Sequence, residues 1–219
     1  MASARPTSER FTSAIAAIDA VNATDPTTAT IGVDHGPKEL VHARAMSAWV
    51  ERLDPDADEL QHLAARAHHL RRWERPRSAY PEGRGGYLLW RADARRFHGE
   101  QVAAILGCHG YSTQEVDRVV AIVQKEGIAA ADRSTVDPAI QLHEDALCLV
   151  FIQAQLAGVA DQLGAAATVD VVVKTMGKMS HRGIAAASTL QLDATTRDVL
   201  SAALHESEVA RTPSIGVAE

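Results

Sequence analysis

Several things are scarce in this sequence. Only two of its 219 residues are cysteines, Cys108 and Cys148, and neither belongs to a Cys-x-x-Cys pair. That excludes a disulfide framework and a thiolate zinc site, and both read as core thiols in a reducing compartment. Basic charge is in deficit: 22 Lys plus Arg stand against 28 Asp plus Glu, a formal net charge of −6, which argues against a general attraction to nucleic acid or anionic lipid. Uninterrupted apolar runs fall well short of the ~20 residues that span a bilayer; the longest is Ala146 to Ile152. The polar stretch Met1 to Arg10 contains Pro6 and lacks the basic, apolar and small-residue succession of a signal peptide. A soluble, cytoplasmic protein without a membrane partner is expected. Aromatic residues are few, nine in all, and unevenly placed.

Hydrophobic residues make up 46% of the chain, enough for one sizeable core, so a single domain over 1–200 is expected, with a frayed tail over 201–219. Apolar residues recur at intervals of three and four, and period-two alternation is rare, which predicts an all-α fold. Helices are expected over Ser8 to Val21, Pro37 to Leu53, Ala57 to Arg72 and Ala92 to Leu106, with Trp73 to Gly86 as a loop rich in Pro, Gly and Arg. Ser112 and Glu115 have the spacing of a capping box opening a fifth helix. A sixth carries the run Ala146 to Ile152, apolar on every side and therefore central. Val169 to Val173 fits a strand or a helix running on toward Met176.

Ionisable residues on apolar stripes are the anomaly. His42 shares a face with Met46, Trp49, Val50 and Leu53; His68 with Leu60 and Ala64; His98 with Val102 and Ile105; Asp145 with Leu142, Leu149, Ile152 and Leu156. Any one of these reads as a core side chain bonded to a carbonyl. Four together are explained most simply by a divalent metal, which offsets the desolvation of Asp145 and keeps the imidazoles neutral. Fe, Mn, Zn and Ni all suit such ligands.

The order His42, His68-His69, His98, Asp145 resembles the HD-domain superfamily of metal-dependent phosphohydrolases. DELQHLAARAHHL over Asp58 to Leu70, His98 to Leu106 with Gly110-Tyr111, and Glu144-Asp145-Ala146-Leu147 carry the likeness. The resemblance implies an HD-like helical bundle with a C-terminal helical extension and metal ligands at His42, His68, His69, His98 and Asp145. His69 stands where that pattern has an aspartate, and a neutral imidazole bridges two ions poorly, which favours one metal over two. A closer resemblance, to the family catalogued as domain of unknown function 4202, rests on Ala67 to Leu70, Arg72-Trp73, Pro76-Arg77, Tyr80-Pro81, Arg84, Gly86 to Leu88, Trp90-Arg91, His98, Glu144-Asp145 and Lys174 to Ser180. That family brings no activity with it.

Between Arg66 and Arg96 stand nine arginines against three acids, together with Trp73, Tyr80, Tyr87 and Trp90; Phe97 follows at once. The segment leaves His68 and His69 and returns at His98, so some guanidinium groups are expected near any metal between them. Arg72, Arg77, Arg84 and Arg91 suit the bidentate holding of phosphate, and Trp73, Tyr80 and Tyr87 can cover a base or sugar. Lys174 and Lys178 form a second basic cluster that either adds to a phosphate site or ends a helix. A phosphorylated small molecule, plausibly a nucleotide, is the expected substrate. The expected reaction is metal-dependent hydrolysis, with Glu144 and Asp145 as the catalytic carboxylates. An HD-type iron-dependent oxygenase and a non-catalytic nucleotide-binding module stand as alternatives.

Overall fold

The computed structural model describes residues 8–129 and 133–211. Among them the fold is all-α apart from one hairpin: α1 (Glu9–Asn22), β1 (Thr28–Ile31), β2 (Asp34–Pro37), α2 (Lys38–Leu53), α3 (Glu59–Arg66), α4 (Gly83–Gly107), α5 (Thr113–Gln124), α6 (Pro138–Leu163), α7 (Ala165–Met176), α8 (His181–Ala187) and α9 (Ala194–Arg211). The starts follow local chemistry. Ser8 accepts the Phe11 N–H at the head of α1. Asp58 and Ser112 open α3 and α5 with capping boxes completed by Gln61 and Glu115, so the donors left over in each first turn find acceptors.

Three differences from the sequence reading have physical causes. The third helix stops at Arg66, not Arg72: Asn22 Nδ2 donates to the Arg66 carbonyl at 3.3 Å, and Arg71 turns left-handed with φ 55°. Helix α4 starts at Gly83, well before Ala92. A Cβ on Gly86 would lie 1.8 Å from the Pro81 carbonyl oxygen, so the glycines that read as loop are what let the chain close onto the helix. Of the two readings open for Val169 to Val173, the helix is the one found: the run lies in α7. Finally, Thr28–Ile31 pairs with Asp34–Pro37 around Gly32 and Val33, with Gly32 at φ 61° supplying the backbone that a two-residue hairpin turn requires.

The described residues group into two compact units that divide between His143 and Glu144, inside α6. In the first, α4 packs on α5, α3 lies against α2 and α5, and α1 touches α2, α3 and α4. Its core joins Ile18, Leu63, Leu70, Leu106, Val119 and Ile122. Burying each such large side chain is worth about 1.5–3 kcal/mol. Arg10 of α1 bonds Glu115 Oε1 at 2.8 Å and approaches Glu59 Oε1 at 3.1 Å, while the Tyr111 hydroxyl donates to Glu59 at 2.6 Å. In the second unit α7 packs against α9, and Leu149, Ile152, Leu156, Val172, Met176, Leu200 and Ala203 are buried. The tail boundary at 200 falls inside α9, and 212–219 lie outside the described residues.

Helix α6 is long and apolar enough to cross a membrane by length and composition, with a mean hydropathy of 1.5 over an 18-residue window. Counting unbroken runs passes over it, because Gln153, Gln155 and Gly158 interrupt its apolar residues.

Candidate metal centre

The first unit gathers its buried imidazoles at one place. Pro37 caps the start of α2, and Asp25 accepts the Glu39 N–H at 3.0 Å. Glu39 in the first turn and His42 three residues on then lie on one face and are both buried. His68 and His69 follow the end of α3. Adjacent residues in a regular helix point ~100° apart. Unwinding after Arg66 brings both rings to the same side, their centroids 3.9 Å apart. The His42 ring centroid is 4.8 Å from that of His69 and 5.9 Å from that of His68. Helix α4 contributes His98, 5.6 Å from His69, and the start of α6 contributes His143, 4.7 Å from His68.

Hydrogen bonding decides which lone pairs remain. His98 Nδ1 donates to the Leu70 carbonyl at 2.8 Å, which leaves Nε2 as a bare acceptor. His68 Nδ1 meets His143 Nε2 at 2.7 Å. His69 Nε2 accepts from Arg72 at 3.1 Å, while its Nδ1 faces Glu39 Oε2 at 3.2 Å without hydrogen-bond alignment. Both nitrogens of His42, Nε2 of His68 and of His98, Nδ1 of His69 and Oε2 of Glu39 are buried without a hydrogen-bond partner among the described residues. Each such group costs about 1–3 kcal/mol if it stays unsatisfied, and so many at one place call for a shared ligand.

A divalent cation fits that set. One ligand atom from each of Glu39, His42 and His69 lies within 4.8 Å of the other two, and an ion with ligands at about 2.0–2.2 Å would draw the three to within about 4.4 Å of one another. The charge states also suit a cation. Burial, reinforced by Arg72 and Lys38, pushes His42 down to about 3. Burial takes His98 to about 4 against the opposing pull of the Leu70 carbonyl. His68 and His69 are held well below the ordinary histidine range by burial and by neighbouring rings. The imidazoles are therefore neutral lone-pair donors. Burial raises Glu39 to about 7 in spite of Arg72 and Lys38, a cost that a bound cation would reverse.

Sequence patterning does not single out Glu39 or His143. An acid in a first helical turn is ordinary, yet Glu39-x-x-His42 is the pairing that places a carboxylate and an imidazole on one helix face. His143 stands beside Glu144 and Asp145, whose likeness to a known motif outweighs it.

The other expected site residues are placed as follows. In the first unit, Arg72 alone of the four named arginines has a hydrogen bond into the histidine cluster among the described residues, and its guanidinium lies 4.9 Å over the Trp90 ring. Arg77 donates to the Tyr80 and Gly83 carbonyls, fastening its own loop. Tyr80 bonds Asp93. Arg91 stacks on the exposed Tyr87 at 5.6 Å, Trp73 is half-buried and Arg84 is exposed. In the second unit, Asp145 accepts the Ser180 N–H at 2.8 Å and also the Ser180 hydroxyl. Its buried carboxylate thus has protein partners of its own. A Cβ on Gly183 would come within 2.7 Å of Asp145 Cγ, so glycine is what allows α8 to lie there. Glu144 is buried, with Cys148 Sγ 4.0 Å from its Oε1; Lys174 and Lys178 are both exposed.

Neither a curated protein nor a solved structure matches the chain. The family described as "Domain of unknown function (DUF4202)" matches residues 12–200, a span that holds every residue of the histidine cluster, and the chain belongs to that family.

Proposed function

We propose that the chain is a metal-dependent hydrolase of phosphorylated small molecules, with a divalent cation held by Glu39, His42 and His69. The observation that carries this reading is the convergence of partnerless polar atoms in a buried cluster of neutral imidazoles and one carboxylate. A divalent cation supplies activation of water and polarisation of a phosphoryl oxygen. The chain supplies the rest. His98 and His68 add two further buried imidazoles to the cluster, the tautomer of His98 fixed by the Leu70 carbonyl and His68 sharing one ring proton with His143. Arg72 brings positive charge beside it. The relation to HD-domain enzymes is part of the same proposal, and supporting it is the chain order of His42, His68-His69 and His98. The roles of Asp145 and Glu144 rest on that order alone.

The test is a panel of phosphate mono- and diesters, including nucleotides, offered to chelated protein and to protein supplied with Mn²⁺, Zn²⁺, Ni²⁺ or Fe²⁺. Phosphate release that needs both the ion and His42 supports the reading. Release that survives chelation, or none with any ion, contradicts it. One observation favours a second reading: two imidazoles and one carboxylate are also the ligand set of non-haem iron oxygenases. Dioxygen uptake confined to the Fe²⁺ sample, without phosphate release, would replace the first reading by the second. Binding of a nucleotide without turnover would point to the non-catalytic module.

A further inference from the structure

The His69 ring serves two neighbours that cannot both be served at once. Arg72 can only donate, so the ring nitrogen it bonds, Nε2, carries no proton. In a neutral ring the proton is then on Nδ1, the nitrogen that faces Glu39 Oε2. A cation needs a bare lone pair on Nδ1, which places the ring proton on Nε2, where it opposes the Arg72 N–H. Cation and arginine therefore compete for one imidazole, and the positive charge of Arg72 adds repulsion. His69 Nε2 is the only hydrogen-bond acceptor of the Arg72 guanidinium among the described residues. The flat face of the guanidinium is braced by Trp90, whose indole N–H is in turn tied to the Arg75 carbonyl at 2.8 Å.

We infer that Arg72 is an anion-binding arm released by the cation: occupation of the Glu39, His42 and His69 site turns the guanidinium away from His69 and makes its donors available to an oxyanion, namely a phosphate group held between cation and arginine. This rests on the metal reading above and adds to it the recognition element and the order of binding, cation first. A guanidinium fork suits a phosphate bidentately, and the Trp90 face keeps the arm at the site when it leaves His69.

The competition predicts opposite signs. Calorimetric titration of Mn²⁺ into the chelated full chain should show Arg72→Gln binding the ion at least as tightly as wild type, by up to about tenfold. Inorganic phosphate titrated into the Mn²⁺-loaded proteins should bind Arg72→Gln at least about tenfold more weakly, as expected for loss of a charge-assisted pair. A merely structural role for Arg72 would weaken both, and that result overturns the inference. So does phosphate affinity unchanged within twofold. Arg72→Lys keeps the charge and the stem but loses the fork. It should bind Mn²⁺ like wild type and phosphate several-fold more weakly, and equal phosphate binding in a folded Arg72→Lys also overturns the inference. If wild type binds no Mn²⁺, the metal reading fails and this inference fails with it. If Mn²⁺ binds and phosphate ignores Arg72, the inference fails alone.

Discussion

Glu39 and His42 occupy one turn of α2, and the burial of a carboxylate there is costly in a chain without a cation. Glu39→Gln should therefore leave the melting temperature of chelated protein at or above that of wild type. It should also lose most of the upward shift that Mn²⁺ gives wild type. Differential scanning fluorimetry with and without chelator reads both, and a variant that melts lower but keeps the full Mn²⁺ shift counts against Glu39 as a ligand. At Gly183 the constraint is steric. With Asp145 Cγ 2.7 Å from any added Cβ, Gly183→Ala should cost about 1–3 kcal/mol in urea unfolding, and a change below about 0.5 kcal/mol would deny the tight contact. His42, His68 and His98 are legible in the sequence because each breaks an apolar stripe. Glu39 is not, because an acid near a helix start has an ordinary use against the helix dipole. The partner of Asp145 is hidden for a different reason: Ser180 lies 35 residues away, and no spacing rule reaches that far.

Among the elements, α1, α3 and α5 are tied by the Arg10, Glu59, Glu115 and Tyr111 group, and its pH dependence has a definite sign. Bonding to Arg10 first, then to Ser112, holds Glu115 at about 2, below the ordinary 4.5. A depressed carboxyl contributes stability that is complete above about 4.5 and is lost as pH falls toward 2. Wild type should lose melting temperature across that window more steeply than Glu115→Gln, and parallel profiles would show that the lash contributes nothing. The start of α5 is readable in the sequence because Ser112 and Glu115 are a purely local signal. Helix α4 reads too short because Gly83, Gly85 and Gly86 resemble loop, and only the approach of Pro81 to Gly86 explains them. The β1–β2 hairpin escapes the periodicity because its strands are four residues each, and Ala29 and Ile31 give too little apolar alternation to stand out.

At the scale of the whole molecule, the chain is an all-α protein whose first unit holds the histidine cluster and whose second unit satisfies Asp145 from within. A ligand that binds only the folded chain stabilises it by about 2.7 kcal/mol at a hundredfold excess over its dissociation constant. For a chain of this size that is a rise of roughly 5–10 °C, and EDTA should abolish it. The central claim is that Glu39, His42 and His69 hold a cation, and metal stoichiometry tests it most directly. Protein stripped with chelator, equilibrated with Mn²⁺, desalted and measured by elemental analysis should carry close to one ion per chain. His42→Ala and Glu39→Gln, folded by circular dichroism, should carry little. A stripped wild type that takes up no ion, or variants that load as fully as wild type, would contradict the account.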